Sequence, residues 1–173
     1  MAAIRMSLDS VRGKPVYLGK ALREFGFVDD VIIDPRFGIL AVVSHHSRWG
    51  TWAFSYQDTR ITPDAITVAG HGKRSPRVFL REGTSYQDLI GGKVLDSDGF
   101  EVGRIKDIEV FDVQTGVIAY RVRPRGLRGL WAPAFSVPAR TVVTARARTI
   151  VIRVDPSATK KEERWDSNKK RAA

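Results

Sequence analysis

The sequence predicts an all-β protein of two small β-barrels in tandem, with little helix and a charged C-terminal tail. Three observations carry that expectation. The first is an internal repeat. Gly26-Phe27-Val28-Asp29-Asp30-Val31 returns as Gly103-Arg104-Ile105-Lys106-Asp107-Ile108, in the frame Gly-x-apolar-x-Asp-apolar. The apolar strand after Gly38 returns after Gly116, the stretch 6–13 faces 84–91, and Ile61-Thr62-Pro63 faces Ser136-Val137-Pro138. A near-constant offset of this size marks two copies of one unit. The second observation is period-two alternation, as in Tyr120-Arg121-Val122-Arg123 and Ile150-Val151-Ile152-Arg153-Val154, which reads as half-buried strand. The third is turn punctuation by Asp-Gly, Thr-Gly and Pro between short apolar runs.

The first copy spans residues 6–80. Ser7 to Val11 is expected to make one helical turn with a serine N-cap. Strands follow around Gly26–Ile33 and Gly38–Val43. Gly70 to Pro76 lacks periodicity and interrupts the copy before an expected last strand, Arg77-Val78-Phe79-Leu80. Arg81 to Gly83 links to the second copy, residues 84–154, which opens with another single turn at Ser85–Ile90. Asp98-Gly99 and Thr115-Gly116 are its expected hairpin turns. In the first copy Lys20 to Glu24 stands where the second has its Asp-Gly turn. Residues 155–173 form a charged polar tail, expected to be disordered when free.

A unit of about 70 residues is near the lower limit for an independent core. With no cysteine to staple either copy, the two are expected to bury apolar surface against each other or a partner. The absence of cysteine suits a reducing cytoplasm. No apolar run suggests a signal peptide or the roughly 20-residue span of a membrane helix. The expectation is a cytoplasmic protein, peripheral to the cytoplasmic face of the inner membrane.

The chain's net charge of +10 is unevenly placed. Residues 1–116 carry 15 basic and 15 acidic side chains, whereas residues 117–154 carry eight arginines and no acid. Such a stretch suits an anionic partner: an acidic protein face, an anionic membrane surface or RNA.

In the second copy, Gly92-Lys93-Val94-Leu95-Asp96-Ser97-Asp98-Gly99 is followed by Gly103-Arg104-Ile105-Lys106-Asp107, then Thr115-Gly116, then Val137-Pro138. This order resembles the PRC-barrel pattern, well over residues 84–154 and more loosely over 6–80. The first copy keeps Gly13, Gly26, Asp30, Gly38 and Pro63. The resemblance implies a small barrel of about six strands that binds macromolecules and catalyses nothing. Family members include the cytoplasmic part of the photosynthetic reaction-centre H subunit and the C-terminal domain of the ribosome maturation factor RimM. This chain lacks the H subunit's transmembrane helix, and has a second PRC-like unit where RimM has a different barrel.

Other motifs carry less. Asp96-Ser97-Asp98-Gly99-Phe100-Glu101 lacks the acidic spacing of an EF-hand. Gly70-His71-Gly72-Lys73-Arg74-Ser75 has the wrong spacing for a phosphate loop. His45 and His46 point to opposite strand faces and cannot easily share a metal ion. No Gly-x-Ser-x-Gly elbow marks a hydrolase. No cofactor, metal or small-molecule substrate is expected. Asp30 and Asp107 are read as structural carboxylates that accept backbone amide hydrogens.

The expected partner-binding residues are Arg121, Arg123, Arg125, Arg128 and Trp131, together with Arg140, Arg146 and Arg148. Arginine forks pair carboxylates and phosphates, and tryptophan beside arginine is common interface chemistry. Trp49 and Trp52 in the matching loop of the first copy, and Trp165 in the tail, complete the set. The first copy is expected mainly to pack and the second, with the tail, to bind. The expected function is a non-catalytic scaffold or interaction subunit of a larger assembly. The specific expectation is an accessory subunit on the cytoplasmic side of a photosynthetic reaction-centre-type complex, contacting an H-like subunit. The alternative is a ribosome-maturation or RNA-associated factor of the RimM type.

Overall fold

The computed structural model describes residues 6–34, 38–112, 117–126, 132–146 and 148–153. The first copy contributes β1 (Met6–Ser7), β2 (Pro15–Leu18), β3 (Arg23–Asp34), β4 (Gly38–His46), β5 (Gly50–Ser55), β6 (Thr59–Ile61) and β7 (Ile66–Val68). The second contributes β8 (Thr84–Ser85), β9 (Lys93–Leu95), β10 (Glu101–Asp112), β11 (Val117–Pro124), β12 (Phe135–Pro138), β13 (Val142–Arg146) and β14 (Thr149–Ile152). Two four-residue α-helices, α1 (Arg77–Leu80) and α2 (Tyr86–Leu89), lie at the end of the first copy and near the opening of the second.

The repeat in sequence is a repeat in topology. One curled sheet runs β5-β4-β3-β2-β7-β6 and the other β12-β11-β10-β9-β14-β13, so strands at matching places occupy matching positions. Each sheet has one parallel pair, β2 with β7 and β9 with β14, among antiparallel neighbours.

The two opening strands are exchanged. β1 of the first copy pairs with β10 of the second, Met6 opposite Val110 and Ser7 opposite Glu109. β8 of the second copy pairs with β3 of the first, Ile32 opposite Ser85 and Ile33 opposite Thr84. The Leu8 amide donates to the Ile108 carbonyl at 2.8 Å and continues the first crossing. A single apolar core runs through both copies, from Leu8, Val31 and Ile33 to Tyr86, Ile108 and Tyr120. The copies therefore bury apolar surface against each other, as their size demands. Tyr120 is fully buried, and its phenol is held above the usual range by that burial and then by the Asp34 charge of the other copy.

Of the two repeated aspartates, Asp30 fastens a crossing and Asp107 bonds within its own copy. Asp30 accepts the Val31 amide at 2.8 Å and the hydroxyl of Ser85, at the end of β8. Asp107 accepts the Ile108 amide at 2.7 Å and the Tyr86 hydroxyl at 3.3 Å. Burial raises the Asp30 pKa above the ordinary carboxylate value; the bonds from Ser85, Val31 and Gln87 and the Arg12 charge oppose that rise. The structural reading of these carboxylates stands, with a cross-copy role at Asp30 added.

The four-residue helix α1 corrects the strand expected at Arg77–Leu80. Pro76 opens the turn, its carbonyl accepting the amides of Phe79 and Leu80, and the Ser75 hydroxyl accepts the Arg77 amide. Proline suits the first turn of a helix because its missing N–H is not needed there. Phe79 packs on a small outer cluster of Ile32, Ala41, Val43 and Ala53.

The β9–β10 turn forms at Asp98-Gly99 as expected. Asp96 Oδ1 accepts the Asp98 and Phe100 amides at 3.0 and 2.8 Å, and Gly99 takes φ +86°. The matching residue in the β2–β3 turn is Leu22, at φ +49° and 57% exposed. Positive φ costs a side-chain-bearing residue about 1–2 kcal/mol, offset partly by the chain entropy glycine loses on folding. Leu22→Gly is expected to raise stability by about 0.5–1 kcal/mol. Thermal unfolding checks this, and a lower melting temperature would mean that the leucine side chain holds the turn. The Thr115-Gly116 hairpin and the tail from residue 155 lie outside the described residues.

Candidate interaction surfaces

The second sheet aligns three cations. Lys93 on β9 stands opposite Arg104 on β10, and Arg104 stands opposite Arg123 on β11. Neighbouring strands are about 4.8 Å apart, so the three side chains leave the sheet in a tight row. All three are exposed. Arg104 lies 3.5 Å from Glu101, and its guanidinium also reaches the Gly91 carbonyl at 3.5 Å. Neither Lys93 nor Arg123 has an acidic partner among the described residues. Like charges directly opposite one another are destabilising. The row is a local electrostatic cost that an external anion would relieve.

The first sheet uses the same row differently. Pro15, Phe27 and His45 stand side by side there, and Phe27 is 55% exposed. Duplicate positions that hold lysine and arginine in one copy thus hold proline, phenylalanine and histidine in the other.

A second feature lies at one end of the first sheet, where the β2–β3 and β4–β5 turns meet the segment after β7. Phe25 is its centre. Its ring meets Phe54 edge-on at 5.3 Å, Trp52 edge-on at 6.0 Å and Trp49 at 5.8 Å. His46 stacks on Trp49 at 4.2 Å, and its Nδ1 accepts the Arg48 amide at 2.9 Å and the Trp49 amide at 3.3 Å. Trp52 Nε1 donates to the Trp49 carbonyl at 3.1 Å. The Arg23 guanidinium lies 5.6 Å from the Trp49 ring centre and that of Arg74 lies 6.0 Å from Trp52. Between these groups is a half-open cleft of about 520 Å³, lined by Leu18, Phe25, Trp52, Phe54, His71 and Arg74 among others. The segment 70–74 lies against this floor. A Cβ at Gly72 would come within 2.5 Å of Phe54, so only glycine fits there without displacing the ring.

Residues 82–159 match the family model described as PRC-barrel domain. The second copy is a PRC-barrel domain. The first copy, with the same strand order, is a second barrel-like unit beside it. No curated protein matches the chain.

The PRC barrel sorts the sequence-predicted arginines into different roles. Arg123 joins the cation row. Arg121 shares its strand face but lies 3.6 Å from Glu109, a carboxylate only 5% exposed, which holds it to the sheet. Arg125 follows β11 and reaches Glu101 at 4.0 Å. Arg148, just before β14, donates to the Asp88 carbonyl at 3.2 Å and ties the α2 turn to that strand's start. Arg140 is exposed in the turn after β12, on a different element. Arg128, Trp131, Trp165 and the Arg146 side chain lie outside the described residues. Trp49 and Trp52 come together as one aromatic cluster.

Sequence reasoning missed Lys93 and Arg104, the other two members of the PRC barrel's row. Only strand pairing brings them beside Arg123. Among the described residues no cluster of histidine and acidic side chains could hold a metal ion, and no helix is long and apolar enough to cross a membrane.

Proposed function

We propose that the chain is a non-catalytic interaction subunit that seats its PRC barrel on an anionic membrane surface. It would serve as a peripheral accessory of a larger complex on the cytoplasmic face, of the photosynthetic reaction-centre type. The observation behind this reading is the Lys93–Arg104–Arg123 row. Anionic headgroups attract nearby basic residues by roughly 1 kcal/mol each. Three cations already in register would gain that attraction without first being ordered, and their mutual repulsion would fall. The exposed Arg125 extends the same basic face.

Flotation of the full chain with vesicles tests this. At low salt the protein is expected to float with phosphatidylcholine vesicles that contain phosphatidylserine, and not with phosphatidylcholine alone. Salt should release it as the charges are screened. Replacing Lys93, Arg104 and Arg123 together by serine should weaken binding about 100-fold, from roughly 1 kcal/mol per residue. Indifference to phosphatidylserine would sink the membrane reading. If the same triple substitution instead abolished tight binding to a ribosomal RNA fragment, the RimM-type reading would replace it.

A further inference from the structure

We propose that the aromatic cleft of the first unit is a docking site for an acidic peptide segment that carries a bulky apolar side chain. The cleft's volume of about 520 Å³ falls within the roughly 300–1,000 Å³ common for ligand sites. Its floor is apolar, made by Leu18, Phe25, Trp52 and Phe54. Its rim is cationic: Arg74 lines the opening, Arg23 lies over Trp49, and Arg48 and Lys73 are exposed on the adjoining turns. The nearby acids are Glu24, exposed on β3, and Asp58, which lies against Gly70.

The arginine placement selects the ligand. A guanidinium held over an aromatic ring keeps its edge N–H groups free, in a fork that matches a carboxylate. Arg23 and Arg74 are both held this way, so carboxylates could bind without displacing them. Single-stranded nucleic acid would need open ring faces for its bases. Here the Trp49 ring is already engaged by His46 and Arg23, and Trp52 carries Arg74. An apolar side chain entering the cleft requires no such rearrangement. Leu22 supports the same reading. It is an exposed apolar side chain in a strained turn at this end of the sheet, where the other copy has an unstrained glycine. Backbone strain kept at an exposed apolar residue is a mark of a contact surface.

The test follows the Trp49 and Trp52 indole N–H signals in ¹H–¹⁵N spectra of the full chain. The probe is the acetylated, amidated peptide EEFLED, with its uncharged isostere QQFLQN. EEFLED is expected to shift both indoles saturably and to bind at least tenfold more tightly than QQFLQN. The variant Arg23→Glu/Arg74→Glu should weaken it at least tenfold, while Lys106→Glu, at an exposed residue of the other unit, should leave it unchanged. Equal binding of the two peptides overturns the proposal without relying on any variant. So does an EEFLED response confined to the Lys93–Arg123 row, or tighter engagement of both indoles by an oligouridylate octamer.

Discussion

Residues 84–153, produced without the first copy, are expected to remain largely unfolded, although they contain every strand that the second copy itself contributes. The reason is the exchange of opening strands. Alone, this piece loses β1 from the edge of β10 and leaves β8 with no strand to pair. It also loses Leu8 and Val11, both fully buried, and the Asp30 carboxylate that accepts the Ser85 hydroxyl. Removing one buried leucine side chain costs about 2–5 kcal/mol. A whole domain of ordinary stability has only about 5–15 kcal/mol. Losing several such contacts therefore exceeds what the fragment can hold in reserve. Amide dispersion in an NMR spectrum reads the outcome directly. Adding the separately made residues 1–80 should restore dispersion by complementation, because the crossings are reciprocal. A dispersed spectrum and a cooperative melt from 84–153 alone would show that the exchange adds little to either copy.

The tandem was legible because its markers have strict geometric duties. Gly26 and Gly103, and Asp30 and Asp107, recur because the same close strand approach and the same amide bonds recur. The exchange was not legible. Met6-Ser7 and Thr84-Ser85 face two long strands of one pattern, and nothing in a dipeptide distinguishes its own copy from the other. Arg77-Val78-Phe79-Leu80 is short and apolar enough to be either helix or strand, and Pro76 decides it by supplying the carbonyl that starts a turn. The aromatic cleft was half legible. Trp49 and Trp52 stand out in any reading, whereas Phe25, Arg23 and the 70–74 segment join them only through folding. The cation row was nearly invisible. Counting charge along the chain placed Lys93 and Arg104 in the neutral portion and drew attention to Arg121, which a buried Glu109 already engages.

Gly103→Ala and Gly26→Ala are expected each to cost about 3 kcal/mol, as an overpacked site does, and to lower the melting temperature by about 6–12 °C. Propensity alone predicts the opposite sign, since glycine inside a strand is about 0.5–1 kcal/mol worse than alanine. Geometry overrides it. A Cβ at Gly103 would stand 2.3 Å from the Arg123 carbonyl oxygen, and one at Gly26 would stand 2.3 Å from the His45 carbonyl oxygen. These are backbone atoms of the neighbouring strand, so the strands themselves must part. The functional consequences should differ between the two sites. Gly103 sets the spacing of β10 and β11 where Arg104 meets Arg123, so its substitution should also weaken binding to phosphatidylserine vesicles. Gly26 sets the spacing of β3 and β4 beside Phe25 and His46, so its substitution should weaken EEFLED docking and spare vesicle binding. Calorimetry with the two binding measurements on both variants checks this pattern. Equal loss of both activities in both variants would mean that the damage spreads through the shared core rather than staying on one sheet. A neutral Gly103→Ala would mean that β11 can move outward freely, and that the cation row is not held in register by this contact.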